Sequence, residues 1–157
     1  MLIMDLGMNN GDDTDYYLKL GYDVVAVEAN PVLIHAAEKR FKRFVKNGTL
    51  KLCNFAISSE SGALEFYINL ENSHWSSLHK SWAERNKCKT RTVSVKATTL
   101  NELFMMHGVP YFMKIDIEGS DLEALRQLER EATVPEFISV EDCYQGYEYL
   151  RVLEKIG

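Results

Sequence analysis

Two glycines and a carboxylate near the start of the chain form a pattern that could bind a nucleotide. Gly7 and Gly11 flank the short segment Met8-Asn9-Asn10, and Glu28 lies 21 residues after Gly7. Glycine tolerates a positive φ angle and lets the backbone approach a ligand, because it carries no Cβ atom. An acid about 20 residues after such a turn accepts hydrogen bonds from ribose hydroxyls. The spacing therefore predicts a site for a molecule that contains a nucleoside.

The same spacing argues against the common dinucleotide cofactors. Their fingerprint is Gly-x-Gly-x-x-Gly, whereas this chain has Asn9 at the second glycine position and Thr14 near the third. The Asn9 side chain is too large for a tight pyrophosphate turn, so NAD and FAD are disfavoured. A strand-helix-strand unit with an ordinary glycine turn is the simpler alternative, but it explains neither Glu28 nor the acids later in the chain.

A second group of charged residues lies in residues 111–128. An apolar run there carries Lys114 and Asp116 and is followed by Glu118. Ligands of open α/β sheets bind beyond the carboxyl ends of the strands, so we expect Asp116 to face a cleft. The alternative is an ion pair between Lys114 and Asp116, because residues two apart share one face of a regular strand.

Strands and helices alternate around these two groups, which is typical of an α/β fold. Apolar or alternating runs predict strands at residues 2–4, 24–27, 49–53, 63–69, 92–96, 111–115 and 136–140. Helical periodicity predicts helices at residues 14–20, 31–47, 99–108, 120–128 and 146–155. Capping boxes are expected where Thr99 precedes Glu102 and where Ser120 precedes Glu123. The basic residues between Lys39 and Lys46 are interpreted as the solvated side of a helix.

Residues 70–89 show no regular period and contain His74 and Trp75. Irregular segments of this length often cover binding sites. A histidine in such a loop more often faces solvent than acts in catalysis, so His74 is only a candidate. Arg85 and the neighbouring lysines could attract an anionic substrate, or they could offset nearby acids.

Length and composition set broad limits on the function. The chain has 157 residues, which predicts a single domain over residues 1–157, and its formal charge of −5 argues against binding to nucleic acid or anionic lipid. Cys53, Cys88 and Cys143 have neither the number nor the spacing of a disulfide framework or a zinc site. No run approaches the 18 or so apolar residues of a membrane span, and the opening residues do not show a signal-peptide pattern. We therefore expect a cytoplasmic protein that is not bound to a membrane.

Several motifs together resemble the FkbM-type methyltransferases, which use S-adenosylmethionine (SAM). They are Asp-Leu-Gly-x-Asn-x-Gly from Asp5, Val-Glu-Ala-Asn-Pro from Val27, Asn-x-Ala-Ile-Ser from Asn54, and Lys-Ile-Asp-Ile-Glu-Gly from Lys114. The resemblance covers nearly the whole chain. It implies a doubly wound α/β fold with a mostly parallel sheet, of the Rossmann-like class I methyltransferase type. The family would continue into a last pair of strands, which this sequence lacks.

The resemblance also implies where the cofactor binds. Asp5, Gly7, Asn9 and Gly11 match the motif around the methionine part of SAM, and Glu28, followed by Ala29, matches the acid that holds the ribose. Asn54, Phe55 and Ala56 match the end of the third strand beside the adenine. Asp116 matches an acid between the cofactor and the acceptor. Met8 departs from the family, which has a small residue at this point of the turn.

The family methylates oxygen atoms, commonly hydroxyls of sugars or of secondary metabolites, which makes a small-molecule acceptor the expected partner. An alcohol reacts well only as it loses its proton, so a general base should help. Asp116, Glu118, Glu141 and His74 are the candidate bases, with structural hydrogen bonds or cofactor contacts as the alternative for each. A divalent cation between Asp116 and Glu141 is only weakly indicated, and no metal is predicted.

Two further alternatives stay open at the level of sequence: a non-catalytic module that binds SAM or a nucleotide, and a methyltransferase that acts on RNA. Without the last pair of strands, the predicted strand near residues 137–140 should be an exposed apolar edge, which favours pairing with another chain. We therefore expect either a homo-oligomer or a longer natural chain.

Overall fold

A computed structural model describes residues 1–142 and 146–157, so Cys143 lies outside the described residues. The strands of the described chain are β1 (Leu2–Leu6), β2 (Asp23–Val27), β3 (Leu50–Cys53), β4 (Ala56–Ile57), β5 (Gly62–Asn69), β6 (Thr90–Thr98), β7 (Phe112–Ile115) and β8 (Phe137–Val140). The α-helices are α1 (Asp12–Lys19), α2 (Pro31–Arg40), α3 (Lys42–Asn47), α4 (Lys80–Ala83), α5 (Leu100–His107), α6 (Asp121–Gln127) and α7 (Gly146–Ile156). Short 3₁₀ helices span Ser73–Trp75, Arg85–Lys87 and Leu128–Arg130.

Five parallel strands form the central sheet in the order β3-β2-β1-β7-β8. Alternate residues of β1 and β2 pack on opposite faces: Met4 and Val25 face the helices α5, α6 and α7, whereas Val24 and Ala26 face α1 and α2. Helices on both faces bury both sides of the sheet, as a parallel sheet requires. The predicted doubly wound α/β fold is therefore confirmed.

β8 is the end strand of this sheet, and no strand follows it in the described part of the chain. Its first residue, Phe137, is 50% exposed. The self-association expected from this edge stays a prediction.

The helix expected at residues 31–47 is interrupted at Phe41, where α2 ends and α3 begins. Asn30 caps α2 as its side chain accepts a hydrogen bond from the Val32 amide (3.0 Å), and Gly48 ends α3 with a φ of 82°. Phe41 has φ −105° and ψ 19°, outside the helical range, and its side chain is only 2% exposed. The backbone leaves the helical path at the residue whose ring enters the core.

A smaller three-stranded sheet has the order β4-β6-β5 and lies beside the carboxyl ends of the central strands. β5 and β6 are antiparallel and pair from Gly62 with Ala97 to Asn69 with Thr90, which is longer than the sequence predicted. Residues 70–89, here called the covering segment, connect these two strands. A small apolar cluster that includes Ala29, Phe66 and Val95 joins the sheet to the turn after β2.

The two expected capping boxes have different outcomes. At α5, the Thr99 side chain accepts from the Glu102 amide and Glu102 reaches back, so the box is confirmed. At α6, Ser120 makes no side-chain cap, so the second prediction is wrong. Glu123 accepts instead from the Ser59 amide (3.1 Å), a distant contact that outcompetes the local one.

No α-helix in the described residues combines the length and the apolar character that a membrane span needs.

Candidate functional site

A cleft opens at the carboxyl ends of β1, β2 and β7, where the central sheet meets the smaller one. It has a volume of about 590 Å³, counting its open mouth. Most of the residues that the sequence singled out lie along it. Those in the lining are Gly7, Asn9, Glu28, Ala29, Phe55, Ala56, His74, Asp116 and Glu118. Asp5, Gly11, Asn54 and Glu141 are outside the lining.

Gly7 lies in the turn after β1 and contacts the end of β2. Its amide and that of Met8 both donate to the Val27 carbonyl (2.9 and 3.0 Å). Its φ is 84°, and a Cβ atom at this position would overlap the carbonyl oxygen of Asp116. Glycine is therefore required here because the backbone of Asp116 approaches this position, whether or not a ligand is bound.

Gly11 has a different role from the one expected. It is the N-cap of α1 with a φ of 83°, and a Cβ atom there would lie 2.7 Å from the Phe41 ring. The space beside Gly11 thus belongs to the core between α1 and α2. A larger residue at this position would disturb that packing before it met a ligand in the cleft.

Glu28 follows β2 directly and is 7% exposed. One carboxylate oxygen accepts from the Asn9 amide (2.9 Å) and the other from the Asn30 amide (2.7 Å). Burial raises the pKa of the Glu28 carboxyl, and these two hydrogen bonds oppose that shift. Each oxygen of a carboxylate offers about two acceptor positions, so both can still accept from a ligand hydroxyl.

Asn54 supports the turn that carries Glu28. Its side-chain amide donates to the carbonyls of Glu28 (2.8 Å) and Ala29 (3.0 Å). The residues after it, Phe55 and Ala56, reach the cleft themselves. Asn54 therefore fixes the shape of the cleft from outside.

Asp5 lies beneath the glycine turn and has no exposed surface. One carboxylate oxygen accepts from the Thr14 hydroxyl (2.6 Å), and the other has no hydrogen-bond partner among the described residues. Burial raises the pKa of the Asp5 carboxyl, against the effect of the Thr14 bond. The closest cation is the Lys114 ammonium, at 3.9 Å.

Asp116 lies just after β7, in the cleft lining, with its side chain 30% exposed. Lys114 donates to its Oδ2 atom at 2.9 Å, so the ion pair considered from the sequence is present. Burial alone would lower the pKa of the Lys114 ammonium, but the hydrogen bond to Asp116 and the charge of Asp5 raise it above its ordinary value. Asp116 therefore both pairs with Lys114 and lines the cleft.

Glu118 fastens the covering segment to the turn after β7. One of its carboxylate oxygens accepts from the Trp82 indole (2.9 Å) and from Arg85 (2.8 Å), and its carbonyl accepts from the Ser77 hydroxyl (2.6 Å). The Arg85 guanidinium also lies over the rings of Trp75 and Trp82 (4.7 and 5.3 Å). Arg85 is therefore held by the protein, and the expectation that it attracts an anionic substrate gains no support.

The covering segment supplies the outer wall of the cleft. His74 is exposed and lines the cleft within the first 3₁₀ helix, and the neighbouring Ser73 hydroxyl donates to the Asn9 side chain (3.2 Å). Ser120 also lines the cleft, and its hydroxyl is 3.2 Å from the Nε2 atom of His79 in the covering segment. His74 thus lines the same cleft as Asp116.

Sequence reasoning missed several lining residues, most of them apolar or small. They are Val27, Ile57, Phe66, Ser73, Ser76, Leu78, Ile117 and Ser120. Ser73, Ser76 and Leu78 belong to the covering segment, whose irregular composition was the available signal. Phe66 reaches the cleft only through the packing of the smaller sheet.

Three carboxylates at the mouth of the cleft are close enough to share a metal ion. Ligand atoms of Asp116, Glu118 and Glu141 all lie within 4.8 Å of one another. Asp116 is already paired with Lys114, and Glu118 with Arg85. Because cations of the protein compensate these two charges, the cluster by itself does not call for a metal.

Comparisons with known proteins agree with this architecture. The family described as the methyltransferase FkbM domain matches residues 5–156. A solved structure of methyltransferase FkbM from Methylobacillus flagellatus KT superposes with a TM-score of 0.64 at 12% sequence identity, covering 98% of this chain and 36% of that one. This chain thus spans about a third of the length of that protein, and the likeness between the structures shows the shared fold alone. No curated protein sequence gave a significant match. The family match over nearly the whole length shows that the chain belongs to the family of FkbM methyltransferase domains.

Proposed function

We propose that this domain transfers a methyl group from SAM to a hydroxyl oxygen of a sugar or of a secondary metabolite. The observation that carries the proposal is the meeting of Glu28, at the end of β2, with Asp116, after β7, in the lining of one cleft. Family membership supports methyl transfer in general. The choice of oxygen and of the acceptor class rests on the motif resemblance.

The residues present fit SAM in their chemistry. The Glu28 carboxylate would accept hydrogen bonds from the ribose hydroxyls. Two backbone amides already stabilise its negative charge by hydrogen bonds. Phe55, Ile57 and Phe66 give one part of the cleft an apolar lining suited to an adenine ring. The backbone amide of Asn9 donates a hydrogen bond to Glu28, and this bond would place the glycine turn beside the methionine part of SAM.

SAM would supply a methyl group already activated by the positive charge on sulfur. The protein's share of the rate is then to orient the acceptor and to keep water out. The covering segment, tied to Glu118 at one end and to Asn9 through Ser73, closes one side of the cleft against solvent.

Asp116 is the best-placed group to take the proton of the acceptor hydroxyl. It lies in the lining, and Lys114 engages only one of its two carboxylate oxygens. Glu118 is less suited to the task, since it already accepts from Trp82 and Arg85. His74 and Glu141 are the remaining candidates.

Transfer of labelled methyl from SAM to a panel of glycosides tests this assignment. Asp116→Asn keeps the size of the side chain and removes its charge, so turnover should fall by about a hundredfold, as for a lost general base. SAM should still bind and the melting temperature should change little. Asp23→Asn, at the exposed start of β2, is the matched control. Undiminished turnover by Asp116→Asn would assign the base to His74 or Glu141.

A further inference from the structure

Lys114 occupies an unusual position for a lysine, between the central strands and the cleft. It pairs in register with Asp5 across β1 and β7, and its side chain is 19% exposed. Its ammonium lies 2.9 Å from Asp116 Oδ2, 3.1 Å from Asp13 Oδ2 and 3.9 Å from Asp5 Oδ1. These three acids belong to the end of β7, to α1 and to β1, so one cation joins three elements around the cleft.

No other cation is paired with any of these three acids in the described part of the chain. Without the ammonium, three carboxylates would repel one another, and Asp5 would keep a buried charge with no compensation. Of the three, Asp116 is the residue that lines the cleft. The hydrogen bond from the Lys114 ammonium, at 2.9 Å, is the contact that opposes this repulsion at Asp116.

We propose that Lys114 is a positioning residue for methyl transfer, which holds the Asp116 carboxylate at the cleft through its Oδ2 atom and leaves the other oxygen for the acceptor hydroxyl. This inference rests on the proposed function, because it assigns Asp116 the task of receiving the proton. Lys114 itself is not among the residues that line the cleft. Its effect on the reaction passes through Asp116.

A double-mutant cycle on turnover separates this role from a contribution to folding alone. Lys114→Met should lower kcat by about ten- to a hundredfold, the scale expected when a reacting group is misplaced by about an ångström, with little change in the KM for SAM. In the Asp116→Asn background, Lys114→Met should cause no further loss. Lys114→Arg, which keeps a charged donor, should recover part of the activity. Lys19→Met removes an exposed lysine paired with Asp15 (2.6 Å) and is the control.

Losses that multiply in the double variant, or that only follow the folded fraction, would overturn the inference. A second measurement works even where Lys114→Met fails to fold and where no acceptor has been found. The ¹⁵N resonance of the Lys114 ammonium, observed by NMR, should shift in Asp116→Asn and not in Asp23→Asn. An unchanged resonance contradicts the pairing, whereas wild-type protein that does not bind SAM contradicts the proposed function instead.

Discussion

The contact between Gly7 and Asp116 predicts that a single added methyl group disturbs both the fold and the site. In Gly7→Ala, the new Cβ atom would meet the carbonyl oxygen of Asp116 far inside a normal carbon–oxygen contact of about 3.3 Å. The backbone after β7 must then move away. That backbone carries the Asp116 amide, which donates to the Leu6 carbonyl (3.0 Å).

Gly21→Ala is a matched control, because Gly21 has a φ of 87°, similar to the 84° of Gly7, and nothing lies within 4 Å of its added Cβ atom. The left-handed backbone costs alanine about 1–2 kcal/mol, and the reduced freedom of the unfolded chain returns about 0.4–1 kcal/mol. Gly21→Ala should therefore lower the free energy of unfolding by about 0–1.6 kcal/mol. Gly7→Ala adds an overlap worth about 1–3 kcal/mol and weakens a hydrogen bond worth about 1 kcal/mol. The free energy of unfolding should fall by about 3 kcal/mol in total.

Urea denaturation followed by circular dichroism measures both variants. The midpoint should fall far more for Gly7→Ala, with the slope unchanged, since the same surface is exposed on unfolding. The folded part of Gly7→Ala should also transfer methyl groups poorly, because Asp116 has moved. Equal losses of stability in Gly7→Ala and Gly21→Ala would refute the close contact between the glycine turn and the end of β7.

Two more predictions concern the surroundings of the cleft. Burial, together with the charges of neighbouring acids, raises the pKa of Tyr17 to about 12, whereas an unfolded tyrosine titrates near about 10. The folded state thus keeps a proton that the unfolded state loses, so the free energy of unfolding should decline as pH rises from about 10 to about 12. Tyr17→Phe should flatten that decline. An identical decline in Tyr17→Phe would be inconsistent with this origin. Arg85→Met removes a partly buried charged hydrogen bond, so amides of residues 73–87 should exchange hydrogen about tenfold faster or more. Lys80→Met, at the exposed end of α4, should leave their exchange unchanged, and equal protection in both variants would show that Arg85 does not hold the segment.

Local patterns predicted those features of the fold that depend on local chemistry. The turn at Gly7, the position of Glu28 after β2 and the Thr99 cap all depend on residues close in sequence or on a period within one element. Burial of both faces of β1 and β2 follows from their continuous apolar runs. These predictions were correct because no distant contact competes with the local interactions.

Contacts across the fold account for the differences. Phe41 interrupts a helix because its ring fills the space beside Gly11, and no spacing rule joins residues 30 positions apart. Glu123 leaves the predicted cap for the Ser59 amide, which only the packing of α6 brings near. The wall of the cleft likewise depends on the contact of Glu118 with Trp82 and Arg85, two residues of a segment whose sequence shows no regular period.

Calorimetric titration of SAM into the wild type and into Glu28→Ala tests the central claim most directly. Loss of hydrogen bonds from ribose to a charged acceptor should cost about 1.5–3 kcal/mol, which weakens the affinity by about ten- to more than a hundredfold. Glu38→Ala, which removes an exposed acid of α2, should bind SAM as the wild type does. A wild type that gives no binding heat, or a folded Glu28→Ala variant with undiminished affinity, would contradict the assignment of the cleft to SAM.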